Sequence, residues 1–316
     1  MNVSAYPGYE YHLNLYQILA DGTEEEKAAA QAAQRKYISE YTLPEGMKME
    51  DRLISGGDGQ EMAIRIYTPA NLPECAPIVM DVHGGGWVGG NLDIDNYRCI
   101  ALATGTPAIV VSVDYRLSRP NGIHYPQPLL DCYAALVWIE AHAAEFGGDP
   151  NRIALHGTSA GANLCAGLAL YVRDHVGPDL KLVVLNCPVL FLDNTYSKRQ
   201  YPQFALAPAT KRDAPEQIYL AEYLGSRPPY YAMPGYCDDL EGLPPHFVIV
   251  GEYDTLRDDG LTYATRLLQT GIPCEMLVAP RVGHGFCVVD HPFTHWVHKG
   301  ICGSLRRQFG MDITEF

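Results

Sequence analysis

No run in this chain approaches the roughly 20 apolar residues that a membrane-spanning helix needs. Nor does a basic stretch followed by an apolar one precede the first elements: "MNVSAYPGYEYHLNLY" is polar and tyrosine-rich, so no secretory leader is expected. Positive charge is scarce. Twenty-three Lys and Arg face 37 Asp and Glu, for a net charge of −14, which repels both nucleic acid and an anionic membrane as partners. The nine cysteines form no C-x-x-C pair, and their number is odd. Reduced thiols in the cytoplasm explain that better than a disulfide framework or a zinc knuckle. No internal repeat or low-complexity tract is present. No G-x-G-x-x-G opens a helix and no G-K-[ST] follows a glycine loop, which disfavours phosphate binding.

At 316 residues, 47% hydrophobic and 19% charged, the chain suits one large α/β domain or two smaller ones. Residues 24–41 read as a helix with an acidic start and basic residues later. Short apolar runs at 62–69, 76–83, 108–115, 152–157, 180–188, 245–254 and 274–280 read as strands, with helices expected over 94–104, 129–147 and after Ser159. Strands alternating with helices imply an α/β fold with a predominantly parallel sheet covered on both faces. Residues 191–236 break the rhythm with six prolines and seven tyrosines: Tyr196, Tyr201, Tyr219, Tyr223, Tyr230, Tyr231 and Tyr236. We read 191–236 as an insertion over the C-terminal edge of the sheet, where open α/β folds place their ligand crevice. Residues 1–45 would join it as a lid, leaving 46–190 and 237–316 as the core. The tyrosines would line an amphipathic lid or simply pack it.

The stretch "ALHGTSAGANLCAGLAL" (154–170) passes from strand to helix through Gly157-Thr158-Ser159-Ala160-Gly161. A hydroxyl there could merely cap the helix. Alternatively the glycines permit a strained turn that pushes Ser159 into a cleft as a nucleophile. A serine nucleophile needs a general base, a group that orients the base, and donors for the oxyanion, and the sequence offers each. "VHGGGWVGG" (82–90) follows a strand, so the N–H groups of Gly85 and Gly86, with that of Ala160, are the expected donors. His284, in "PRVGHGF" after the last strand, is the expected base. His156 is a poor rival, since it sits inside the Ser159 turn. Asp254, in "GEYDTLRDDG", is the expected acid; Asp258 and Asp259 read as solvated or salt-bridged helix-start residues, and Glu252 should point elsewhere. The histidines of "HPFTHWVH", His291, His295 and His298, share one face if helical and with Asp290 could hold a metal. Surface histidines are the better reading, and neither a metal nor any other cofactor is expected.

Together "HGGGWVGG", "VDYRL" (113–117), "GTSAGAN" (157–163), "GLPPHFVIVGEYDTLRDDG" (242–260) and "GHGF" (283–286) resemble the hormone-sensitive-lipase-like, HGGG-type (family IV) esterases of the α/β-hydrolase superfamily. With "YPQPLLDCYAALVWI" (125–139) the resemblance runs from about residue 60 to 300. It implies the α/β-hydrolase fold with an eight-stranded, mostly parallel sheet and a helical cap, a Ser159–His284–Asp254 triad, and cofactor-free hydrolysis of short-acyl carboxylic esters. The chain departs from the family pattern at Thr158, where an aspartate is usual, at Ala162, where a second glycine is usual, and at Ser118-Arg119-Pro120 after "VDYRL". An N-deacetylase or amidase with the same triad is the alternative activity. A non-catalytic small-molecule receptor on this fold is a third reading, disfavoured because plant gibberellin receptors lack the histidine that stands here at 284. The partner expected is a small-molecule ester, and the reading leaves a homodimer open.

Overall fold

The computed structural model describes residues 4–39, 41–205, 214–223 and 225–313. Eight strands form one sheet: β1 (Lys48–Ser55), β2 (Glu61–Thr68), β3 (Ala76–Val82), β4 (Ile109–Val113), β5 (Gly148–Thr158), β6 (Leu180–Asn186), β7 (His246–Gly251) and β8 (Cys274–Ala279). Their order is β1-β2-β4-β3-β5-β6-β7-β8. β1 and β2 pair antiparallel, as do β2 and β4; every pair from β4 across to β8 is parallel. This is the expected α/β-hydrolase arrangement.

The central strands are apolar on both faces because helices cover both. Ile78, Met80 and Val82 of β3 and Val183 and Leu185 of β6 pack into one core, beneath α4 (Gln127–His142), α5 (Ala160–Asp174) and α8 (Arg257–Gln269). Val79, Leu182 and Val184 face the other way into a second core, covered by α3 (Asn96–Gly105) and α9 (Pro292–Gln308). Alternation along a pleated strand dictates this division.

Two elements lie on the N-terminal side, α1 (Glu10–Asp21) and α2 (Glu24–Ser39). The helix expected over 24–41 is found as α2, which is described as far as Ser39; residue 40 lies outside the described residues and Tyr41 is not helical. The helix expected over 129–147 is shorter, because α4 passes into a 3-10 turn, Ala143–Phe146, which left-handed Gly147 ends. Among the described residues, 191–236 hold two short helices, α6 (Tyr196–Gln200) and α7 (Pro215–Tyr219), with 3-10 turns and no strand; residues 206–213 and 224 lie outside the described set.

Most of the seven tyrosines there pack rather than line a lid. Tyr219 is wholly buried and Tyr201 nearly so. The hydroxyls of Tyr230 and Tyr231 donate to Asp174, and that of Tyr236 donates to Asp193. Tyr196 is exposed.

Candidate active site

Ser159 sits between the end of β5 and the start of α5 with φ +58°. That left-handed conformation is strained for a residue with a side chain, and the surroundings hold it there. A Cβ on Gly157 would lie 2.5 Å from the Gly161 carbonyl oxygen, and one on Gly161 would lie 2.0 Å from the Val82 carbonyl oxygen. The two glycines therefore let the turn close on itself and let the end of β3 pass beside it. Capping does not explain the serine, whose side chain makes no cap hydrogen bond to α5.

The loop after β3 lies against this turn. A Cβ on Gly84 would stand 3.0 Å from the Thr158 carbonyl oxygen and 3.5 Å from Ser159 Cβ. Gly85 and Gly86 both adopt positive φ, +120° and +61°, and the Gly85 carbonyl accepts from Val88 and Gly89 at 3.2 and 2.9 Å. Ala160 opens α5, so its N–H is among the donors that a helix start leaves without an intrahelical acceptor. Gly85 and Gly86 thus follow directly on Gly84, which touches the Ser159 turn, and Ala160 follows Ser159 itself. Trp87 next to them is buried, donates through Nε1 to Asn163 Oδ1 at 3.3 Å, and stacks on Tyr219 of α7 with ring centroids 4.4 Å apart.

His284 and Asp254 reach the serine from neighbouring strand ends. Nε2 of His284 stands 2.8 Å from Ser159 Oγ and accepts its hydroxyl, while Nδ1–H donates to Asp254 Oδ2 at 2.9 Å. Asp254 is wholly buried, and its Oδ1 accepts from the Leu256 N–H at 2.8 Å. Burial by itself would push the His284 pKa down. The Asp254 charge and hydrogen bond outweigh it, and the imidazole titrates above its ordinary value.

Of the rival acids, Glu252 accepts from the Arg281 N–H and points away. Asp258 pairs with Arg257 and accepts from the Ser197 N–H. Asp259 takes the salt-bridged alternative, as Asp258 does. It is wholly buried, pairs with Lys198 at 3.0 Å and accepts from the N–H groups of Leu190 and Phe191. Burial lifts its pKa to about 6.

The histidines of 291–298 and Asp290 do not come together as a group of ligand atoms. His291 caps α9, accepting from the Phe293 N–H, and His295 bonds Asp290 and Tyr97. His298, expected at the surface, is buried, and burial lowers its pKa to about 3.

Several contributors carry no sequence signal. His156 does not approach the serine hydroxyl; it is buried against Asp81, which Arg98 of α3 also binds. Residues before and within α1 grip the loop that carries His284. The Tyr6 N–H donates to the Arg281 carbonyl, Tyr9 and Thr294 share a 2.6 Å hydroxyl contact, and Leu13 lies where a Cβ on Gly283 would come within 3.0 Å. His12 of α1 is buried beside Gly285, and burial lowers its pKa to about 4. The polar, tyrosine-rich opening of the sequence gave no periodicity from which to expect these contacts.

The sequence pattern of the family described as alpha/beta hydrolase fold matches residues 79–288. The carboxylesterase NlhH of Mycobacterium tuberculosis is 40% identical over 275 residues, covering 84% of this chain and 83% of that protein. An arylesterase of Saccharolobus solfataricus is 34% identical over 221 residues, covering 67% and 69%. Among solved structures, a thermostable esterase from Pseudomonas putida superposes with a TM-score of 0.84 at 27% identity, covering 98% of this chain and 100% of that one.

Proposed function

The chain belongs to the α/β-hydrolase family, among esterases related to hormone-sensitive lipase, and is a carboxylic ester hydrolase; from that premise we propose that it works through an acyl-enzyme on Ser159. Ser159 Oγ attacks the ester carbonyl while His284 Nε2 takes its proton. The same nitrogen then delivers that proton to the leaving alcohol. Asp254 fixes the imidazole tautomer and stabilises the imidazolium. The N–H groups of Gly85, Gly86 and Ala160 hold the oxyanion, where each donor typically contributes about 3–4 kcal/mol. Water, activated by His284, then releases the acid.

The observation that carries this reading is the chain of contacts from Ser159 Oγ through His284 to Asp254, 2.8 and 2.9 Å long. A fluorophosphonate probe should label Ser159, and Ser159→Ala should lose both labelling and hydrolysis. Full activity in Ser159→Ala would overturn the mechanism.

The substrates assigned are short-acyl esters. Pro215 of α7 lies where a Cβ on Gly86 would come within 2.9 Å, and Tyr219 covers Trp87, so described residues of 191–236 roof the oxyanion loop. Residues 191–236, with the N-terminal segment, thus act as a cap. Nine thiols and no disulfide support the cytoplasm as the compartment. The excess of acidic residues supports a small-molecule partner over a nucleic acid.

A further inference from the structure

Cys187 follows β6 directly, wholly buried, with φ +52° and its N–H donating to the Ile249 carbonyl at 2.7 Å. Its side chain stands beside the Asp254–His284 pair. One ligand atom from each of Cys187, Asp254 and His284 lies within 4.8 Å of the other two, and no other group of three or more such side chains does so among the described residues. We propose that Cys187, Asp254 and His284 form an inhibitory site for a thiophilic divalent cation, zinc above all. The inference rests on the roles assigned to Ser159 and His284.

The donor set is one sulfur, one nitrogen and one oxygen, a combination that zinc takes in tetrahedral sites. Bonds of about 2.3 Å to sulfur and 2.0–2.1 Å to nitrogen or oxygen put ligand atoms about 3.3–3.6 Å apart. His284 Nδ1 and Asp254 Oδ2 are already 2.9 Å apart, so the imidazole and carboxylate have only to open slightly. The thiol, within 4.8 Å of the other two ligand atoms, has to close by about 1.2–1.5 Å at most, measured against that same tetrahedral spacing. Asn186 Oδ1, 3.4 Å from the sulfur, stands next to the group as a further oxygen. Charge also closes. A thiolate and a carboxylate cancel a divalent cation, so the occupied site buries no net charge, which an unpaired ion would make costly.

Occupation disables the base by moving one proton. The cation takes the Nδ1 lone pair of His284, and the imidazole proton relocates from Nδ1 to Nε2. The Cys187 thiol proton leaves to solvent, so one proton is released for each cation bound. Nε2–H cannot accept the Ser159 proton, and acylation stops while the substrate pocket stays open. Inhibition therefore falls on kcat and leaves KM unchanged.

The test uses the full chain in a Cys75→Ala background, because Cys75 is the exposed thiol. Hydrolysis is titrated with Zn²⁺, and Cd²⁺ binding is followed by the ultraviolet absorption of the cadmium–thiolate bond. Zn²⁺ should lower kcat at constant KM, reversibly on chelation. Cys187→Ala should raise the half-inhibiting concentration by more than about 100-fold relative to its own metal-free rate, since even outer-shell partners change metal affinity 10–100-fold. It should also lose the cadmium band, and Cys187→Ser should weaken both effects if the alanine variant fails to fold. Ser159→Ala should keep the band, which separates this site from the catalytic reading. Equal inhibition or an undiminished band without the Cys187 thiol would overturn the proposal.

Discussion

Asp81 and His156 face each other across β3 and β5, both wholly buried, with 2.7 Å between Oδ1 and Nδ1. They stand just before the glycine loop on one strand and just before Ser159 on the next. Arg98 grips the same carboxylate with contacts of 3.2–3.3 Å, and also pairs with Asp95 at 2.5 Å. Burial alone would raise the Asp81 pKa, but the Arg98 charge and the His156 hydrogen bond hold it below the usual carboxylate range. A buried ionic cluster thus ties together the two strand ends that carry the proposed oxyanion donors and the proposed nucleophile.

Asp81→Asn should therefore be strongly destabilising. It leaves Arg98 in the core with one carboxylate instead of two, and breaking a buried pair costs about 3–5 kcal/mol. Urea unfolding should show a lower midpoint at unchanged slope. An unchanged midpoint would mean that the cluster contributes nothing to the fold.

Asp254→Asn should lower kcat by about 10⁴-fold, the scale seen when a triad acid is replaced by its amide and the wrong imidazole tautomer results. Asp258→Asn should cost far less turnover. Asp259→Asn should reduce stability, because its carboxylate anchors the chain at Leu190 and Phe191. Steady-state kinetics with parallel melting curves separate the three, and a crippled Asp258→Asn would reassign the acid.

The acidic limb of kcat/KM should lie above the ordinary histidine value of about 6.5. His284 is raised in the folded protein by Asp254, and catalysis requires the neutral ring, so activity falls as pH drops through that raised pKa. The sign for stability is opposite. The charged pair stabilises the fold fully below the unfolded pKa, and that contribution is lost as pH rises through the folded one. Residual activity in Asp254→Asn should show the limb displaced toward lower pH; a limb that stays in place would uncouple it from His284.

Gly85→Ala should lower kcat by about 100-fold or more, the size of a lost oxyanion donor. Its Cβ would meet the Gly89 carbonyl oxygen at 2.2 Å, so the loop has to shift. Gly59→Ala is the control. It too has positive φ but nothing within 4 Å of an added Cβ, and its activity should be preserved.

On p-nitrophenyl esters, rates should peak between acetate and hexanoate and fall sharply by dodecanoate. Each CH₂ gains about 0.8 kcal/mol while it can be buried, and overfilling costs about 1–3 kcal/mol. Higher kcat/KM on emulsified long-chain triglycerides than on butyrate esters would show a cap that opens at interfaces.

The parallel sheet and the order Ser159, Asp254, His284 were legible because both rest on local signals: apolar strand runs, and glycines where backbones meet. What escaped notice lacks such a signal. β1, "KMEDRLIS", is an edge strand with Ile54 as its single fully buried side chain, so no apolar pattern marks it. Asp81 and His156 look like polar interruptions of strands until Arg98 is folded against them. Cys187 and His12 acquire their neighbours only through tertiary packing, from elements remote in sequence.

His284 follows Ser159 by 125 residues and lies beyond β8, the edge strand of the sheet. At typical translation speeds of about 5–20 residues per second, a ribosome that has delivered Ser159 needs roughly 6–25 s more to deliver His284, its proposed base. In that interval the proposed nucleophile has no proton acceptor, and the chain should not turn over ester. The first hydrolysis by each molecule thus times the docking of its last strand, and activity per chain synthesised measures how faithfully the second half of the protein is completed.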